Sequence, residues 1–154
     1  MCLNNWGGID HKVLEFHEYV NLFSGKSGSG KSTVMDAIQV ILYGSFSPSF
    51  LNKAADDAKN RRSVLSYLRG EQKDGSANRK DCDFCSVIAL EIEDTGTHII
   101  TCIGIAFEVR KSDSEIKKFV YFSHSGKMPE SEYLTEQGVC YSNQEIKKLV
   151  SSRA

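Results

Sequence analysis

The chain has 154 residues, of which 40% are hydrophobic and 25% charged; that is one domain's length with enough apolar content for a packed core, and it excludes wholesale disorder. The formal net charge of −1 excludes a global attraction to nucleic acid or anionic membrane, so any such contact needs a local patch. Cys2, Cys82, Cys85, Cys102 and Cys140 are irregularly spaced and the opening residues lack a basic and an apolar signal region, so a reducing cytoplasm is the expected compartment, and the apolar runs are too short to span a bilayer.

Cys2–Trp6 reads as the end of a first strand. Two short apolar runs follow, Val13–Phe16 and Tyr19–Phe23. The second leads straight into Ser24-Gly25 and predicts a buried strand ending in a turn. Val34, Met35, Ala37, Ile38, Ile41 and Leu42 recur at helical spacing and predict a helix over Ser32–Tyr43, ended by Gly44. Residues 44–50 are a Gly/Ser/Pro loop. Residues 51–70 carry Lys53, Lys59, Arg61, Arg62 and Arg69, with a short amphipathic turn at Val64, Leu65 and Leu68 closed by Gly70. Residues 71–81 are a polar loop. Ser86–Glu93, Thr97–Val109 and Lys118–Ser123 are rich in β-branched and aromatic residues and predict an antiparallel meander. Residues 124–141 read as loop with a short strand near Val139–Tyr141. Ser142 and Glu145 then form a capping box opening a helix over Ile146, Leu149 and Val150.

The chemistry is carried by residues 25–32, Gly-Lys-Ser-Gly-Ser-Gly-Lys-Ser, which match the phosphate-loop pattern G-x-x-x-x-G-K-[ST] in full. Triphosphate oxygens need many donors at short range. Gly25, Gly28 and Gly30 permit backbone conformations that turn successive N–H groups inward, with Ser27 and Ser29 between them. The helix that opens at Lys31 adds its positive end. Lys31 is placed to reach the β- and γ-phosphates of ATP, the Ser32 hydroxyl to ligate Mg²⁺, and Thr33 to complete the cofactor-binding set. The bland alternative, a flexible Gly/Ser loop, is disfavoured by the strand-like run before it and the amphipathic helix after it.

The loop followed by Met35-Asp36-Ala37-Ile38-Gln39, together with Asn5-Trp6-Gly7-Gly8, Asn21-Leu22-Phe23-Ser24-Gly25, Asn52-Lys53-Ala54-Ala55 and residues 62–70, resembles the heads of SMC-like ABC-type ATPases. The likeness is to MukB-type condensins and JetC-like Wadjet plasmid-defence proteins, with SbcC- and RecF-like repair ATPases as further relatives. It covers residues 3–70 well and the β-rich remainder loosely. The resemblance implies an α/β P-loop NTPase lobe of the ABC-head type, with an antiparallel β-rich subdomain. It implies an N-terminal ATP-binding lobe whose coiled coil, C-terminal lobe, signature motif and Walker B acid lie elsewhere. It also implies DNA and a second head as partners, and ATP hydrolysis only when the head is complete.

Two other readings compete. In a self-contained AAA-type ATPase or nucleotide kinase, Val87-Ile88-Ala89-Leu90-Glu91 would be the Walker B strand and Glu91 its acid. Against this, the residue is Glu where an Asp is usual, and antiparallel strands follow where helices should alternate. A non-catalytic binding module is the third. Smaller signals are weaker. Arg61 or Arg62 would contact DNA or nucleotide, or else sit on a solvated face beside Asp56 and Asp57. Cys82 and Cys85 form a C-x-x-C without a second pair. Trp6 would stack on adenine, although core packing is the commoner use of a Trp. Gln137 and Gln39 receive no role in the chemistry.

Overall fold

A computed structural model describes residues 1–48, 51, 63–72 and 74–154. Five strands form an antiparallel sheet in the order β2-β1-β3-β4-β5: β1 (Cys2–Trp6), β2 (Ile9–Val13), β3 (Phe84–Glu93), β4 (Ile100–Val109) and β5 (Lys118–Ser125). Helix α1 (Lys31–Tyr43) and helix α2 (Val64–Arg69) cover one face. The other face is covered by α3 (Asn143–Ser152) and the loop before it.

The central strands are buried on both sides, and alternation distributes their residues. Ile88 and Leu90 of β3 join the core under α1 and α2, whereas Val87 and Ala89 join the core under α3. On β1, Leu3 and Trp6 both face the α1–α2 layer. The break in alternation falls at Asn5, which adopts the left-handed region (φ 55) and donates from its side-chain amide to the Cys85 carbonyl at 2.7 Å. Gly104 is where β4 is crossed most closely. A Cβ there would lie 2.6 Å from the Ile88 carbonyl oxygen and 2.6 Å from the Phe122 ring. Gly104→Ala is expected to cost about 2 kcal/mol by overpacking, seen as a lower denaturation midpoint with an unchanged slope.

Several sequence expectations hold. The helix after the glycines ends at Gly44, left-handed at φ 61, with its N–H on the Val40 carbonyl. The meander forms with β3–β4 and β4–β5 in register. The Ser142–Glu145 capping box is present in both directions. The strand expected at Val139–Tyr141 reduces to a single bridge between Leu134 and Cys140.

One expectation fails. Residues 19–23 form no strand and are not buried: Tyr19 is 87% exposed, Val20 77% and Leu22 89%. The segment instead loops. The His17 backbone N–H donates to Asn21 Oδ1 at 2.7 Å, and Phe16 packs edge-on to Phe23 at 6.1 Å. A strand exists only where a neighbour takes its N–H and C=O groups, and among the described residues none does so here.

Candidate functional site

The glycine loop sits between this segment and α1. Gly28 (φ 83) and Gly30 (φ 90) are left-handed, with open space where a Cβ would project. A tight turn, Ser29 N–H to the Lys26 carbonyl at 3.1 Å, folds the loop back. Gly30 is the N-cap of α1 and supplies no side-chain cap, and the first turn holds no acidic residue. The leading N–H groups of α1 therefore present an uncompensated positive end to the loop.

Lys31 lies across this loop. Its ammonium donates to the carbonyls of Gly25 (2.6 Å) and Lys26 (2.9 Å) and to Ser29 Oγ (3.2 Å). A Cβ on Gly25 would stand 2.6 Å from Ser29 Oγ and 4.0 Å from the Lys31 ammonium, so only glycine leaves that space open. Ser27, Ser29 and Ser32 are exposed. Thr33 is turned the other way, with its methyl against Gly7 and its carbonyl accepting from the Trp6 indole. An exposed loop with a lysine, hydroxyls and a helix N-terminus suits an anion with several oxygens.

The remaining candidates are not gathered at the loop. Trp6 is fully buried and stacked on Tyr67, with ring centroids 5.0 Å apart and planes 7° apart. It cannot offer a face to adenine, so packing is its role. Glu91 lies at the wrong end of the sheet. Trp6, which touches the loop helix, is at the end of β1 that lies beside Cys85. Glu91 is some 20 Å farther along β3 at about 3.3 Å per residue, beyond the Cys2–Ala89 pair. Its carboxylate accepts the Met128 N–H at 2.6 Å. The Walker B reading of Glu91 is therefore corrected to a strand-edge residue that holds a loop.

Arg61 and Arg62 lie outside the described residues, as does the Asn52–Ala55 segment. Arg69, at the end of the same basic stretch, donates to the carbonyls of Lys111 (3.3 Å) and Asp113 (2.5 Å) and so serves the fold. Cys82 is exposed and Cys85 half-buried; burial pushes the Cys85 thiol up to about 11, away from metal-binding thiolate. Among the described residues no group of three His, Cys, Asp or Glu side chains is placed to hold a metal ion. Gln137 lies in the turn before α3, apart from the loop.

The structure also brings together residues that sequence reasoning did not link. Tyr67 donates its hydroxyl to Asp36 on α1. Arg79 clasps the same corner, donating to the Leu68 carbonyl (2.9 Å), the Gly7 carbonyl (2.5 Å) and Asp10 (2.9 Å). One signal was available. Asp36 falls on the apolar face of α1 among Val34, Ala37 and Val40, and a buried carboxylate requires a partner.

Residues 1–58 match the family described as the P-loop containing region of AAA domain. A stretch of 72 residues is 33% identical to the SbcC component of the nuclease SbcCD from Staphylococcus haemolyticus (strain JCSC1435). That stretch covers 44% of this chain and 6% of the relative's length. The chain thus carries a P-loop region and, over less than half its length, is similar to an SbcC protein. Among the described residues no helix is long and apolar enough to cross a membrane.

Proposed function

We propose that this chain binds ATP with Mg²⁺ and forms the N-terminal lobe of an SMC-like ATPase head that acts in DNA organisation, repair or plasmid defence. The observation that carries the reading is the loop at Gly25–Ser32. It joins a lysine held by exchangeable carbonyls to an uncapped helix N-terminus. Phosphate oxygens would take the place of those carbonyls around Lys31, and the exposed Ser32 hydroxyl would hold Mg²⁺. The metal, held there, would supply positive charge to offset that of the phosphates.

Two features support a head completed from elsewhere. Tyr19, Val20 and Leu22 stand exposed beside the loop with a strand's composition, which suits pairing with a strand of a C-terminal lobe. The similarity to a nuclease component that is many times longer fits a catalytic acid and a signature motif outside this chain, in the C-terminal lobe and a second head. DNA contact, with Arg61 and Arg62 as candidates, belongs to the same reading.

The test is equilibrium binding of ATP with and without Mg²⁺ by the full-length polypeptide that carries this chain, with turnover measured alongside. Saturable Mg²⁺-dependent binding is expected, and its absence overturns the reading. Glu91→Gln separates the two enzyme readings. It is expected to leave binding and turnover unchanged, whereas a loss of turnover with binding intact would restore the self-contained enzyme.

A further inference from the structure

Among the described residues, one face of the first two turns of α1 receives two directional hydrogen bonds, both from a single aromatic stack. Thr33 and Asp36 are three residues apart and share a helix face. The Trp6 indole N–H donates to the Thr33 carbonyl at 2.8 Å. The Tyr67 hydroxyl donates to the Asp36 carboxylate. The two donor rings are stacked, and the Tyr67 carbonyl accepts the Gly7 N–H at 2.8 Å. All four residues except Thr33 are buried. Ser63 caps α2 through the Ser66 N–H, and Gly70, left-handed at φ 64, ends it. A Cβ on Gly70 would meet the Gly7 carbonyl at 2.6 Å, so α2 seats directly on the β1–β2 turn.

An apolar side chain at position 36 would fill the same space without the desolvation cost of a carboxylate. What the Asp–Tyr pair adds is direction: it fixes the rotation of α1 about its axis. The leading N–H groups, Lys31 and Ser32 project from the first of these two turns, which also holds Thr33.

We propose that Tyr67 and Trp6 are positioning residues for the phosphate loop, and that through them α2 is coupled to nucleotide occupancy. The proposal rests on the reading of the loop as an ATP site. Because coupling is reciprocal, nucleotide bound at Lys31 and Ser32 slows amide exchange in α2, and loosening α2 weakens nucleotide binding.

The experiment combines ATP–Mg²⁺ binding with hydrogen exchange of the 63–70 region in the full-length polypeptide, comparing wild type, Tyr67→Phe, Trp6→Phe and Lys31→Ala. Each Phe variant keeps a stacked ring and deletes one donor. In wild type, nucleotide is expected to slow exchange in α2. In either Phe variant the Kd is expected to rise about fivefold and the slowing to vanish. Lys31→Ala is expected to lose binding while leaving nucleotide-free exchange of α2 as in wild type. Should one Phe variant fail to fold, the other carries the test. Phe variants that bind as tightly as wild type and keep the slowing, even with a lower Tm, overturn the coupling and leave the ATP site standing. A wild type that does not bind overturns the ATP site itself, and the coupling with it.

Discussion

Lys31→Ala is expected to raise the Kd for ATP–Mg²⁺ by about 100-fold while leaving the fold intact. Hydrogen bonds to charged groups contribute about 1.5–3 kcal/mol each, and every 1.4 kcal/mol is a factor of ten. Lys31, whose ammonium already lies across the loop, is placed to bring a compact positive charge among several phosphate oxygens. Its acceptors are the exposed carbonyls of Gly25 and Lys26 and the exposed Ser29 hydroxyl. When the lysine is removed these turn to water, so the stability change is expected to stay within about 0.5 kcal/mol. The split is what gives the prediction force: a titration that loses saturation beside an unfolding curve that overlays wild type. If binding survived, the loop's lysine would not face the phosphates. Lys31→Arg is not expected to restore affinity, because the planar guanidinium neither fits the space over Gly25 nor acts as a point charge.

Trp6→Ala has the largest expected effect on stability, about 4 kcal/mol. Trp6 is fully buried, stacked on Tyr67 and bonded to the Thr33 carbonyl. Truncation removes the largest side chain of the core under α1 and α2. It opens a cavity in the core shared with Leu3 and Leu68, and it takes the indole donor from a backbone carbonyl. Against a typical total of about 5–15 kcal/mol this is a large fraction. Tm is expected to fall by about 10 °C. The denaturation midpoint should drop with the slope unchanged. A loss below about 1 kcal/mol would mean that the corner joining β1, α1 and α2 closes over the gap, so that the stack does not hold it. Trp6→Phe keeps a ring against Tyr67 and removes the indole donor with a smaller loss of volume than Trp6→Ala.

The two variants probe opposite sides of the first two turns of α1. Lys31 faces solvent and the loop; Thr33 and Asp36 face the stack. Binding chemistry and structural support are thus separated by residue, although they share the same backbone. That separation lets an exposed loop with several left-handed glycines hold its lysine over a defined space. The rigidity comes from the buried side of α1, and the loop itself stays thinly packed.

Much was legible in the amino-acid order, because the relevant forces act over a few residues. The pattern Gly-Lys-Ser-Gly-Ser-Gly-Lys-Ser announces a phosphate loop through backbone conformation alone. The spacing of Val34, Ala37 and Ile41 announces α1, Gly44 its end, and Ser142 with Glu145 the start of α3. The β-branched runs of the second half announce a meander, since each strand meets its neighbour through a short connection. What only the tertiary structure decided are the matters of partnership. Tyr19–Phe23 has the composition of a strand, yet its backbone groups find no neighbouring strand among the described residues, and it loops with its side chains exposed. Glu91 has the sequence setting of a catalytic acid, but the pairing of β1 with β3 carries it to the far end of the sheet. Trp6 could stack on a base or fill a core, and the arrival of Tyr67 from a distant segment settles which. Local propensity and pattern determine which elements can form; which of them find partners, and which side chains meet, depends on long-range packing that no short window of sequence contains.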